Sequence, residues 1–445
     1  MAEEKKRKPI ERLQSAALIR PLVDKMYSEG IMAAREGRPV AWSMVNWWEG
    51  DLIMRAMGVT PVYPENFGTV CASTGIAQKY LQCSAAEGFP THLCGYAQNC
   101  LGYTTEMKTM GTVPADAPMG GMVKPTFMLC SEVLCDARYK WFQSLRQFWN
   151  VPAWTVPCPQ PDPNDIDNGE LHAMNLAYME AELTEFVVFL EQLLGKRMDW
   201  DRLAAMMDTM EKVFQVWWDT NALRTARPCP MHSRDFWTMM VPCLYMCTEP
   251  ESLAAYQNAY EEVKARVEAR VGAVTPEKYR LMFAELPPWH SLGFFDRLAE
   301  RGWNFVCESP IGYHAAPPVE LPRTGTLLNR LASWTYWEFT HWSWHASRKG
   351  YPLLGAVQKH YNWAIEYQID GIVTHPLMTC RTATFWLNHA MNVLRDKLDI
   401  PGLTLQGDIV DLTVFDAAGA LRQALAFEET MDHFRTVRKS KGRDW

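Results

Sequence analysis

The chain has 445 residues, 48% of them hydrophobic and 21% charged, with a formal net charge of -7. That length allows two or three domains with sizeable cores. The acidic balance excludes the broad basic face that a nucleic-acid backbone demands, and the basic runs "EKKRK" at 4–8 and "RKSKGR" at 438–443 read as solvated tails.

Met1 to Leu13 is charged and lacks the apolar core of a signal peptide, and no apolar run reaches the length of a membrane span. A cytoplasmic location without a membrane partner is therefore the expectation. In a reducing compartment the 12 cysteines are better explained by burial, metal or catalysis than by disulfides.

In chain order, residues 1–70 read as a mostly helical N-terminal segment. A first α/β domain is expected over 71–165, where "PTFMLCSE" (125–132) and "VPAWTVPCP" (151–159) read as short buried strands around the helical pattern "DARYKWFQSLRQFW" (136–149). Residues 166–275 form a helical connecting block, whose last helix "EPESLAAYQNAYEEVKARVEARVG" has a Pro-Glu start and a Gly stop. A second α/β domain follows over 276–445, with strands expected at 279–286, 303–309, 371–375 and 403–408. Its helices are expected near 293–301, 325–340, 353–369, 382–397 and 414–433. The fold class is α/β: two Rossmann/flavodoxin-like parallel-sheet units, with the site between them, outside the carboxyl ends of the strands.

That rule sorts the cysteines. Cys130 and Cys307 fall inside expected strands, where a thiol is most simply a small buried apolar group. Cys71, Cys83, Cys100, Cys158, Cys229, Cys243 and Cys247 have no clear ligand context. Three differ. Cys94 opens "CGYAQN" on a Pro/Gly-flanked loop, Cys135 opens "CDARYKW" just past a strand, and Cys380 sits in "THPLMTCRT" just past another. Each stands where a loop hands over to a helix, so that backbone N–H groups can offset thiolate charge. Three thiolates without a sequential fourth suit an iron–sulfur cluster with one open iron, and a Cys₃His zinc site with His375 or His92 stays open as an alternative.

At these residues the chain resembles the family of benzoyl-CoA reductase and 2-hydroxyacyl-CoA dehydratase subunits. The motifs are "CGYAQNCLGY", "LCDARYKWF" and "DGIVTHPLMTCR", which follow one another in the family's order over roughly residues 40–435. The resemblance implies that Cys94, Cys135 and Cys380 hold a [4Fe–4S] cluster with three Cys ligands and one open iron. It also implies a homologous cluster-bearing partner subunit, a separate ATP-hydrolysing iron–sulfur activator, and ferredoxin as electron source. No G-x-x-x-x-G-K-[ST] phosphate loop occurs in this chain, which fits a subunit that relies on ATP hydrolysed elsewhere.

Dehydratase subunits commonly carry Ser and Arg where this chain has Gly95 and Gln98. With the chain length and the many tryptophans, this makes the chain look most like the larger cluster-bearing subunit of ATP-dependent benzoyl-CoA reductase. The implied function is dearomatisation of benzoyl-CoA or an analogue by sequential one-electron and proton transfers, in anaerobic aromatic degradation. The alternatives are a 2-hydroxyacyl-CoA dehydratase subunit and a non-catalytic electron relay. His375, His341 and His345 are the candidate proton donors, His232 lies in similar aromatic-rich surroundings, and Ser43 and Glu49 are weaker ones. The Trp-rich stretches 44–50 and 334–345 are candidate pocket walls.

Overall fold

The computed structural model describes residues 8–45, 48–131, 135–162, 165–309, 325–348, 355–443 and 445, with backbone only at 309, 338–339, 341–348 and 355–356. Two four-stranded parallel sheets organise the chain. The first has the order β2-β1-β3-β4, from β1 (Val40–Trp42), β2 (Thr60–Val62), β3 (Phe127–Ser131) and β4 (Ala153–Val156). The second repeats that order as β6-β5-β7-β8, from β5 (Tyr279–Ala284), β6 (Trp303–Ser309), β7 (Gly371–Thr374) and β8 (Gly402–Thr404).

The central strands are buried throughout, in β3 (FMLCS), β5 (YRLMFA) and β7 (GIVT). A parallel sheet covered on both faces needs near-continuous apolar runs of this kind. The described residues of the segment 1–70 are mostly helical, with α1 (Ile19–Arg35), α2 (Trp48–Ala56) and the start of α3 (Pro64–Thr74), but they also supply β1 and β2 to the first sheet. Those strands have three residues each, too short for a periodicity. Pro61 inside β2 is tolerated because β2 lies at the sheet edge.

The first unit continues with α4 (Ala77–Ala86), α5 (Gly95–Met110) and α6 (Asp136–Trp149), which packs beside β3 and β4. The central block is four helices: α7 (Gly169–Leu194), α8 (Trp200–Ala222), α9 (Ser233–Tyr245) and α10 (Pro250–Glu268). Side chains of Asn168 and Asp199 accept the Leu171 and Arg202 N–H groups and so start α7 and α8. The block covers both sheets. Phe189 of α7 stacks on Trp154 of β4 at 5.0 Å, and Trp237 of α9 meets Phe283 of β5 edge-on at 5.4 Å. Around the second sheet lie α11 (Gly293–Ala299), α12 (Leu327–Arg348), α13 (Gly355–Glu366), α14 (Arg381–Thr384), α15 (Leu387–Leu398) and α16 (Ala417–Ser440). One hydrophobic core runs from Leu13 to Met431 and joins the two units. No helix of the described residues is long and apolar enough to cross a membrane.

The contact between α4 and α5 fixes where Cys94, at the head of α5, stands. A β-carbon at Gly102 would lie 1.8 Å from the Tyr80 carbonyl oxygen, and that backbone cannot step aside as a side chain would. Gly102→Ala should destabilise the protein by about 3 kcal/mol, the upper end for overpacking. Gly169→Ala, with open space around its site, should leave stability within about 0.5 kcal/mol of the parent. Thermal midpoints measured side by side check this; equal midpoints would refute the close α4–α5 approach.

Candidate active site

Both sheets turn their carboxyl ends toward one cavity of about 230 Å³, and Cys94, Cys135 and Cys380 all lie on its wall. Each is the residue immediately before a helix: Cys94 before α5, Cys135 before α6 and Cys380 before α14. Cys135 follows β3 and Cys380 follows β7, the strands that occupy equivalent places in the two sheets. All twelve cysteines are free; eight are buried, and three of the four partly exposed ones are these cavity thiols.

A buried aspartate ties the cysteine loops together. Asp408 accepts hydrogen bonds from the Thr379 amide at 3.1 Å and the Thr379 hydroxyl through one oxygen, and from the Val410 and Asp411 amides through the other. The Thr379 hydroxyl in turn accepts the Gly95 N–H at 3.0 Å, which links the Cys380 loop to the Cys94 loop. Gly95 is required by this closeness, since a β-carbon there would lie 2.8 Å from Asp408 Oδ1 and 3.1 Å from Val410 Cβ. At the neighbouring position of interest, Gln98 donates its side-chain amide to the Thr91 and Leu93 carbonyls, so it closes its own loop.

Electrostatics on the wall follow from burial. Desolvation pushes all three thiols up, Cys380 to about 12, and the thiols of Cys135 and Cys380 add to the rise at Cys94. The Arg138 guanidinium opposes the rise at Cys135. Arg138 is itself buried, held at 3.0 Å by Glu65, whose carboxylate also accepts the Val45 N–H at 2.6 Å. The rest of the wall is largely apolar and aromatic, with Trp141, Trp289, Trp386, Leu244, Leu377 and Ile409. Tyr96 is positioned there by the Trp289 indole N–H at 2.7 Å and by Thr69 at 3.1 Å.

Three soft donors on one largely apolar wall fit a group that bears positive charge and spreads its ligands. Among the described residues, no three His, Cys, Asp or Glu side chains cluster as the ligands of a metal ion would. A multi-iron cluster takes each ligand on a separate iron, so it needs a wider spacing than one zinc ion does.

Among the candidate histidines, those whose side chains are described do not line the cavity. His375 is fully buried and is not part of the cavity wall; its Nδ1 donates to the Leu286 carbonyl at 2.7 Å, and burial lowers its pKa to about 4. It is therefore neutral at pH 7. His341 and His345 fall in α12, but their side chains lie outside the described residues. His232 caps α9 through the Arg234 N–H, Ser43 donates to Asp51, and Glu49 bonds Thr335. Of the Trp-rich stretches, Val45 alone among described side chains reaches the cavity; Trp48 and Trp334 pack on Phe214 in the core.

The sequence pattern passed over Glu285. It follows β5 directly, lines the cavity, is 1% exposed, and adopts φ +86 although it is not glycine. A signal was present: an acidic residue ending an apolar strand, where parallel sheets meet their ligands.

The sequence matches the family model for 2-hydroxyglutaryl-CoA dehydratase, D-component, over residues 51–429. It is 21% identical to the (R)-phenyllactyl-CoA dehydratase alpha subunit of Clostridium sporogenes over 415 residues, 92% of this chain and 94% of that one. It is 23% identical over 299 residues to the (R)-2-hydroxyisocaproyl-CoA dehydratase alpha subunit of Clostridioides difficile, covering 66% and 70% of the two chains. A benzoyl-CoA reductase subunit of Thauera aromatica is a more distant relative, 23% identical over 371 residues, 78% of this chain and 79% of that one. The expected tilt toward the reductases is thus not what the relatives favour, since dehydratase subunits match better. The chain belongs to the 2-hydroxyglutaryl-CoA dehydratase D-component family.

Proposed function

We propose that the chain is the cluster-bearing alpha-type subunit of an enzyme that removes water from a 2-hydroxyacyl-CoA. The observation that carries this reading is the meeting of Cys94, Cys135 and Cys380 on one apolar cavity wall between the two sheets. These three would hold a [4Fe–4S] cluster, leaving one iron without a protein ligand. When bound, such a cluster supplies one-electron transfer and an open iron for an oxygen of the acyl group. A homologous subunit, an ATP-hydrolysing iron–sulfur activator and ferredoxin are the partners this reading requires.

The chain's own residues prepare the cavity. N–H groups at the starts of α5 and α6 face the Cys94 and Cys135 thiols and offset their charge. Arg138, fixed by Glu65, keeps a positive charge beside Cys135. Trp141, Trp289, Trp386 and Leu377 exclude water, which strengthens every electrostatic interaction inside and protects odd-electron species from side reactions.

Reduction of an aromatic acyl-CoA is the second reading, and two observations favour it. The wall is rich in aromatic side chains. Gln98 spends its amide on Thr91 and Leu93, so the position where dehydratases commonly carry Arg offers no cation.

Protein purified without oxygen should contain about four irons and four sulfides per chain, with a low-temperature EPR signal after reduction. Cys94→Ala, Cys135→Ala or Cys380→Ala should each lower the iron content or convert the signal, whereas Cys243→Ala, deep in the core, should not. Zinc, or no metal in any of these proteins, would remove the cluster.

Turnover separates the two readings. With activator, ATP and reductant, (R)-phenyllactyl-CoA should give the enoyl-CoA, at a rate at least a hundredfold lower in Cys380→Ala. Loss of benzoyl-CoA absorbance with no enoyl product from the hydroxyacyl thioester would instead make the chain a reductase subunit.

A further inference from the structure

We propose that Glu285 is the polar anchor of the cavity, pairing with the 2-hydroxyl of the acyl group. The inference rests on the acyl-thioester reading above and deepens it, because it assigns a specificity residue to a chain whose walls are otherwise mainly apolar.

Position comes first. Glu285 is the residue directly after β5, beside β7, where the strand order of the second sheet reverses. That is the place at which doubly wound sheets hold their ligands. It shares the cavity wall with Cys380. Its backbone sits at φ +86, a conformation that costs energy for any residue with a β-carbon and that accumulates at ligand sites. A glycine would occupy this turn without strain, so the side chain is what the position keeps.

The side chain is also unspent. Neither carboxyl oxygen of Glu285 has a hydrogen bond of ordinary geometry, although the residue is 1% exposed. Among the other polar groups on the wall, Glu65 and Arg138 hold each other, and the Tyr96 hydroxyl is held by Trp289 and Thr69. Buried polar groups are nearly always paired, and one left facing a cavity marks where a ligand's polar atom belongs.

The chemistry then selects the ligand group. Burial holds this carboxyl well above the usual range; the Lys359 ammonium and the Trp386 indole only partly oppose it. A carboxyl offers an acceptor oxygen in either protonation state and adds one O–H donor when protonated. A hydroxyl carries both a donor and an acceptor, so it satisfies the carboxyl in either form. A thioester carbonyl only accepts, and an unsubstituted aromatic ring offers nothing to the acceptor. An acyl group without the hydroxyl would leave the carboxyl buried and unpaired.

Calorimetric titration of the anaerobically purified full chain, without activator so that no turnover occurs, tests this with (R)-phenyllactyl-CoA and 3-phenylpropanoyl-CoA, which differ only in the 2-hydroxyl. The wild type should prefer the hydroxy thioester about tenfold, the value of one buried hydrogen bond. Glu285→Gly, which suits the positive φ and so folds, should bind both thioesters within about twofold. Glu285→Gln, which keeps a donor and an acceptor, should retain the preference. Equal binding in the wild type, or a preference that survives in Glu285→Gly, overturns the anchor while leaving the acyl-CoA reading in place. Failure of both thioesters to bind wild-type protein that carries its iron overturns the two together.

Discussion

The site depends on one buried carboxylate. Asp408 is fully buried and accepts from Thr379, Val410 and Asp411, while Thr379 receives the Gly95 N–H. Charge-assisted hydrogen bonds of this kind are roughly twice as strong as neutral ones and have narrow geometry. Because Asp408 fixes Thr379, whose hydroxyl accepts the Gly95 N–H, satisfying Asp408 brings the Cys94 loop and the Cys380 loop into register. The requirement reaches down to a single residue, since the space Asp408 occupies leaves no room for a β-carbon at position 95.

Desolvation does the rest. The same burial that raises the three thiols raises Glu285, which shifts each of these groups toward its neutral form. Such a cavity has a deficit that a positively charged group can fill on the thiol side and a hydrogen-bonding partner can fill on the carboxyl side. Arg138 is the exception, and its charge is matched by Glu65 in a pair that neither can leave without stranding the other.

Much of the fold was legible in the chain. The strands at 127–131, 279–284 and 371–374 are continuous apolar runs ended by polar or turn residues, and the expected segments at 125–132, 279–286 and 371–375 overlap them closely. β1 and β2 were hidden because three residues carry no period and because Pro61 argues against a strand unless it lies at an edge. The meeting of Cys94, Cys135 and Cys380 followed from the rule that strand ends gather ligands, together with the motifs. The aromatic walls did not. Trp48 and Trp334 are as apolar as Trp141 and Trp289, and nothing in composition tells a core tryptophan from a cavity one. Glu285 was absorbed into its strand, since one acidic residue at the end of "YRLMFAEL" leaves the hydrophobic pattern intact.

The matching strand orders of the two sheets have a further consequence. Cys135 and Cys380 leave equivalent strands of separate sheets, and Cys94 rides with the first. Anything bound to all three is therefore a rivet between two halves that otherwise meet through packing and hydrogen bonds. Since binding to the native state adds directly to its stability, oxygen damage that strips such a rivet would cost the protein mechanical unity as well as chemistry, and the halves would then loosen about the cavity they share.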